Sequence, residues 1–492
     1  MAEINNKKYE ISMNNDEKEK LQPLQNIKEP VIVTTIDSEL KVKNKKFVEI
    51  AATISGSLTK FSTGLIVGWS SPSLPKLRAA DSPVPITSAQ SPWVAGAMQL
   101  GTLPSVFLMA ATVDVFGRKR GILFSAIPLI ISWILIAQVT SFEALFTARF
   151  IGGLGSGYGK IVIGTYIGEI AQPSIRGALG TFMGITYVLG VLTSYSVGPL
   201  TTISEFAYIS TIIPVALFVT FMWMPETPYF YLMRGKNEKA RETLEKLRGH
   251  TMVDEELTRM AKGIQKKVPL MVAFKKLISE RKNRQPLYVI CILFFSIQVT
   301  GKMPILSYCQ NIFEESGGSI SPYWGSIITC FIQLAALIIS VFIIDKSGRR
   351  FLLISSCIGC AISLGVLAIY LFCKEHLKQN VDTFNWIPLC SLILYNFVFN
   401  IGLGNVPFIM VGELFANDVK SIAVCVTSLC LPISSITMLK FFQVMTDAYG
   451  MYTSFAFFSV ISILCTIYCY YCVPETKGKS LEEIQAFFMK KK

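Results

Sequence analysis

The sequence predicts an all-α polytopic membrane protein that crosses the bilayer twelve times, as two six-helix halves with both termini cytosolic. Three observations lead there. Of 492 residues, 51% are apolar and 16% charged, where a soluble domain carries about 25% charge, and the mean hydropathy is +0.48. Twelve apolar runs each reach 18 or more residues, enough to cross a hydrocarbon core about 30 Å thick. Lys and Arg are concentrated in alternate segments between those runs.

Along the chain, residues 1–46 contain nine Lys and no apolar core of the secretory kind, which predicts a cytosolic tail. Runs near 48–70, 92–113, 121–140, 144–167, 177–198 and 204–223 make a first six-helix bundle over 47–223. Residues 224–285 are polar, carry fifteen Lys and Arg, and show helical patterning in Asn237–Arg248, so a cytosolic helical linker is expected. Runs near 286–307, 322–344, 351–373, 386–411, 421–446 and 452–473 make a second bundle over 286–473, followed by a cytosolic tail over 474–492.

With the termini inside, inner segments hold 37 of the 46 Lys and Arg, outer loops hold 4 (Lys76, Arg78, Lys374, Lys378), and 5 lie within spans. Cytoplasmic loops carry the basic excess, so this asymmetry sets the orientation. Omitting the fifteen in the central linker still leaves 22 against 4.

The formal charge of +13 does not predict a nucleic-acid partner, because the basic residues are scattered among short linkers without aromatic interleaving. All twelve Cys lie between Cys291 and Cys472, mostly in apolar runs, and read as helix filler despite two CxxC spacings; Cys373 and Cys390 flank one outer loop and are the pair placed to bridge. The two His, His250 and His376, point to neither catalysis nor metal. The run Gly152–Lys160 lies inside an apolar span, where close helix packing is its purpose rather than phosphate binding. The expected partners are therefore the lipid bilayer and a small solute, with no cofactor, no enzymatic centre and no obligate protein partner.

An internal repeat supports the two halves. The turn after the second span reads Asp114-Val-Phe-Gly117-Arg118-Lys119-Arg120, and the turn after the eighth reads Asp345-Lys-Ser-Gly348-Arg349-Arg350. Glycine permits the bend, Asp accepts hydrogen bonds at a helix end, and the arginines can hold exposed carbonyls or carboxylates of neighbouring helices.

With those turns, Arg149, Tyr166-Ile-Gly-Glu169, Arg176-Gly177, Pro225-Glu226-Thr227-Pro228, Gly412-Glu413-Leu414-Phe415 with Lys420, and Pro474-Glu475-Thr476-Lys477-Gly478, the chain resembles the sugar porter family of the major facilitator superfamily over residues 48–487. In style it is similar to insect facilitated trehalose and glucose transporters, as in Ser71-Pro72 and Glu413-Leu-Phe-Ala-Asn-Asp-Val-Lys420. The resemblance implies a sugar carrier in the plasma membrane, with two halves rocking about a central site. It also implies an inner gate built from Asp114, Arg118, Arg149, Glu169, Arg176, Glu226, Asp345, Arg349, Glu413 and Lys420. Its carboxylates would bridge to its arginines when that face closes.

By family position, Gln298, Asn400, Phe408 and Tyr308 would border the solute. Several polar positions of the family pattern are apolar here, including Ile297, Met303, Gly184 and Leu431. Three lysines lie within spans instead: Lys60, Lys160 and Lys302. A mid-membrane charge costs about 2.5–3.5 kcal/mol even on insertion scales, so it faces a cavity or a partner. Two readings follow: Lys60 and Lys302 border a cavity that takes an organic anion or polyhydroxy acid, or the lysines pair with Glu169, Glu205 or Glu413 or snorkel. Proton-coupled relatives carry Asp where this chain has Leu65, which favours facilitated diffusion over proton coupling. A solute sensor without flux is the remaining alternative.

Overall fold

The computed structural model describes residues 47–264, 270–317 and 320–479, together with 483–484 and 487–488. The predicted tail 1–46 and most of the chain beyond 479 lie outside the described residues, as does the side chain of Asp345. Among the described residues all regular structure is helical. The first half comprises α1 (Phe47–Gly68), α2 (Ser70–Arg78), α3 (Ser91–Phe116), α4 (Arg118–Ala137), α5 (Phe142–Ile170), α6 (Arg176–Val197) and α7 (Ile203–Phe221). Four helices follow: α8 (Pro228–Met233), α9 (Asn237–Arg248), α10 (Asp254–Ile264) and α11 (Leu270–Ser279). The second half comprises α12 (Arg281–Val299), α13 (Lys302–Ser307), α14 (Cys309–Ser316), α15 (Pro322–Ser347), α16 (Arg349–Glu375), α17 (Ile387–Ile401), α18 (Val406–Leu414), α19 (Asn417–Tyr449) and α20 (Met451–Cys472).

Eleven helices or helix pairs are long and apolar enough to cross a membrane. The fourth expected span, α5, has 29 residues, about 43 Å of helix. It falls short in apolarity because it carries Glu143, Arg149, Lys160 and Glu169. Its charges are tolerable because α3 and α4 pack along its length and keep much of it away from lipid. Outward-facing Phe107, Phe342, Phe351 and Ile369, each more than 60% exposed, form an apolar surface suited to lipid and not to water.

Three crossings are interrupted. The first continues past its expected end at residue 70 through α2, because Pro72 falls in that helix's first turn, where a missing N–H costs little. The seventh breaks at Gly301, whose φ is +91°. The tenth breaks between α17 and α18, where Asn405 Nδ2 donates to the freed Asn400 carbonyl at 2.6 Å and to Ser340 Oγ at 3.1 Å.

Between lipid-embedded helices there is little hydrophobic drive, so close backbone approach does the packing. A Cβ at Gly64 on α1 would lie 2.1 Å from the Tyr187 carbonyl oxygen on α6, and one at Gly190 would lie 2.2 Å from that of Phe61. All twelve cysteines are free thiols, Cys373 and Cys390 among them.

Candidate functional site: two charged turns, a closed seam and an interior pocket

The two basic turns build the same nest twice. In the first half Arg118 Nε donates to Glu169 Oε1 at 3.0 Å, and Arg118 also pairs with Asp114 at 3.1 Å. Thr227 Oγ1 donates to the other Glu169 oxygen at 2.6 Å. Glu226 accepts backbone N–H groups from Arg118 at 3.0 Å, Lys119 at 3.1 Å and Thr227 at 2.9 Å. In the second half Arg349 Nε donates to Glu413 Oε1 at 3.2 Å, and Thr476 Oγ1 to Glu413 Oε2. Glu475 accepts from the backbone of Arg349 at 2.9 Å, Arg350 at 3.1 Å and Thr476 at 3.0 Å.

Glycine is required at each turn. Gly117 and Gly348 have φ of +95° and +86°, and an added Cβ would meet Glu226 Oε2 at 2.2 Å or Glu475 Oε2 at 2.7 Å. Burial pushes the Glu226 carboxyl above its ordinary 4.5, outweighing its backbone donors. At Glu475 the desolvation is offset by backbone N–H bonds from Lys477, Arg349, Arg350 and Thr476, which together hold it below 4.5.

Among the described residues these charges find partners in their own half, and the cross-half bridges expected at this gate are not formed. Lys420 donates to the Gly412 carbonyl at 3.0 Å, and Arg176 donates to the Ala171 carbonyl at 3.3 Å without an ion pair. Arg149 departs furthest from its expected place, because it sits near the opposite end of α5. Its guanidinium donates to the carbonyls of Val94 at 2.7 Å and Ile66 at 3.1 Å and to Ser70 Oγ at 2.8 Å, over the ring of buried Trp69 at 4.5 Å. Trp69, fully buried, is thus a packing partner of Arg149.

Thr227, Glu475 and Thr476 were absent from the predicted gate, although the repeated Pro-Glu-Thr tripeptide carries their signal. A further charge cluster had no such signal: Arg248 on α9 pairs with fully buried Glu49 on α1 and with Glu256, tying the linker to the first half.

At the end away from the charged turns, the halves are closed on each other. Among the described residues six hydrogen bonds join them: Arg78 to Gln443 at 2.7 Å, Ser91 with Tyr308 at 3.4 Å, Tyr195 to the Leu306 carbonyl at 2.5 Å, Gln310 N to Ser71 Oγ at 3.1 Å, Tyr323 to the Ser196 carbonyl at 3.4 Å, and Cys330 to the Val188 carbonyl at 3.7 Å. All lie on the halves of their spans remote from the turns. Tyr308, expected at the solute, therefore belongs to this seam, where its ring also packs on Phe442 at 5.3 Å. Lys440 lies 5.8 Å from the Trp93 ring across the same seam.

Inside, Lys302 helps line a pocket between the halves with Tyr195, Thr329, Gln333 and Asn396. Tyr195, Gln333 and Asn396 were missed by sequence reasoning, since one polar residue in an apolar run gives no neighbour. The Lys302 ammonium also lies 5.0 Å from the Phe399 ring. Gln298 has a buried Oε1 without a hydrogen-bond donor. Asn400 spends its Nδ2 on the Asn396 carbonyl at 2.6 Å, which makes it a brace at the tenth span's break. Phe408 rests on Phe294 at 4.9 Å, is 52% exposed and does not line that pocket. Lys60 and Lys160 follow Thr59 and Gly159, where a Cβ added at Gly159 would lie 2.5 Å from Thr59 Cγ2, so the two lysines are neighbours across α1 and α5; neither pairs with a carboxylate among the described residues.

Comparison with known proteins agrees with this architecture. Residues 26–488 match the family described as "Sugar (and other) transporter". A facilitated trehalose transporter Tret1-2 homolog of Drosophila simulans is 29% identical over 464 residues, covering 92% of this chain and 94% of the relative. The facilitated trehalose transporter Tret1 of Bombyx mori is 30% identical over 441 residues, covering 89% and 86%. Among solved structures, the inward open xylose transporter XylE from E. coli superposes with a TM-score of 0.74 at 19% identity, covering 89% of this chain and 99% of that one. The chain is a membrane protein of the sugar transporter family, with the major facilitator fold.

Proposed function

We propose that this protein is a plasma-membrane carrier that lets a sugar, trehalose or a hexose, equilibrate across the bilayer by alternating access, with its termini and charged turns in the cytoplasm. The observation that carries this reading is the one-sided closure among the described residues: the hydrogen bonds between the halves gather at one end, while at the other the charged turns bond within their own half. A carrier must hold one end shut while the other admits solute. In the alternate state the cytoplasmic end would close, and Glu169, Glu226 and Glu413 would then face arginines of the opposite half.

Passive transport is supported by the state of the carboxylates. Glu49 is held by Arg248, Glu169 by Arg118, Glu413 by Arg349, and Glu205 caps its own helix at the Thr202 N–H, 2.8 Å away. Leu65 offers no proton site in the first span. The test is entry of labelled trehalose and glucose into proteoliposomes. Facilitated diffusion requires saturable entry that stops at equal concentrations with or without a pH gradient; accumulation driven by the pH gradient alone rules it out.

A further inference from the structure

Three lysine ammonium groups lie in the interior of this fold without a carboxylate. Lys60 is 13 residues into α1 and Lys160 is 10 residues from the end of α5, so each sits some 15–20 Å from its helix terminus. A lysine side chain is too short to reach the interface from there.

Their directions follow from their neighbours. On α1, Gly56 and Thr59 pack on Ile163 and Gly159 of α5, while Gly64 packs on Tyr187 and Gly190 of α6. Lys60, between those positions, points into the cleft between α5 and α6. On α5, Lys160 shares a face with Gly164 and Gly168, beside which there is open space within 4 Å. Lys302 lies across the molecule at the inter-half pocket.

The carboxylates that would neutralise them are committed elsewhere: Glu169 to Arg118 at 3.0 Å, Glu413 to Arg349 at 3.1 Å, Glu49 to Arg248 and Glu205 to its own helix cap. Among the described residues none of the three lysines has an ion-pair partner. Two cations held side by side between membrane-spanning helices are costly unless an anion joins them.

We propose that the solute carries a negative charge as well as hydroxyl groups: a sugar acid or sugar phosphate whose anionic group docks between Lys60 and Lys160. Hydroxyls of the same solute meet Lys302, Gln333, Asn396 and the unpaired Gln298 oxygen on the other half. This rests on the alternating-access carrier reading above and puts an anionic sugar derivative in place of the neutral sugar named there. A neutral sugar would leave the cations uncompensated, whereas an anionic group makes charge-assisted hydrogen bonds to both ammonium groups.

The test compares entry of labelled glucuronate, glucose 6-phosphate and glucose into proteoliposomes under a valinomycin-set potassium potential. The expected result is anion entry roughly tenfold or more above that of glucose, accelerated by an inside-positive potential. The glucuronate and phosphate arms distinguish a carboxylate from a phosphoryl ligand. Lys60→Gln and Lys160→Gln should each erase that preference in protein that remains monodisperse in detergent, and Lys160→Arg should restore it. Glucose entry equal to or faster than both anions overturns the proposal and leaves the carrier reading standing, as does anion entry unchanged in both Gln variants. Saturable entry of none of the three solutes, nor of trehalose, overturns both.

Discussion

Glu226 and Glu475 occupy equivalent places in the two nests, accepting three and four backbone N–H groups around a left-handed glycine, yet burial divides them. Folding lowers the proton affinity of Glu475, so its ionised form adds stability above the ordinary carboxylate pKa of 4.5, and that contribution is lost as pH falls through its lower folded value. Glu226 is shifted upward, so its contribution is fully present below 4.5 and is lost as pH rises through its folded value. At pH 7.5, Glu475→Gln is therefore expected to lower the detergent-solubilised melting temperature more than Glu226→Gln, by a difference on the order of 2 °C. The gap should narrow as the pH approaches 4.5. A larger drop for Glu226→Gln at neutral pH would contradict this account. The nests were half legible in the sequence: the Asp-x-x-Gly-Arg repeat shows that two such turns exist. Which carboxylate meets which donor depends on neighbouring helices, and residue spacing does not encode those.

At the scale of helices, apolar runs located eleven crossings well because hydrocarbon thickness sets their length. The same rule undervalues α5, whose charges are compensated by packing rather than by composition. Arg149 is the clearest case. The family pattern puts it in the inner gate, but it bonds α1, α2 and α3 through two carbonyls and one hydroxyl. A planar guanidinium can reach three acceptors while lying on the Trp69 ring; an ammonium of the same charge cannot reproduce that geometry. Arg149→Lys is expected to cost about 2–4 kcal/mol, seen as an earlier thermal transition and a smaller monodisperse fraction in detergent. Arg176→Lys, which disturbs one 3.3 Å bond to Ala171, should change little. Equal stability of the two variants would mean that Arg149 is not the brace joining these helices.

For the whole molecule, the distribution of bonds between the halves determines which face is open. The polar part of the seam is six separate hydrogen bonds beside the apolar packing of α3 on α19 and of α6 on α15, so removing two of them should shift the balance of states without unfolding either bundle. Arg78→Ala removes the guanidinium from the Gln443 side-chain amide oxygen, and Tyr195→Phe removes the hydroxyl from the Leu306 carbonyl. Together they forfeit about 2–3 kcal/mol, which moves a two-state ratio by roughly 30- to 150-fold toward the form closed at the charged turns. Hydrogen–deuterium exchange resolves this without altering the twelve native cysteines. Peptides covering Leu74–Gln90 and Cys309–Ser316 should exchange faster in the double variant, while those covering Val113–Gly121 and Ile344–Leu352 should exchange more slowly as that end closes. A change of opposite sign at the two ends is the signature of rocking, because local loosening accelerates exchange only where the bonds were cut. Faster exchange at both ends, or at the seam alone, would show that the halves do not move as coupled rigid bodies.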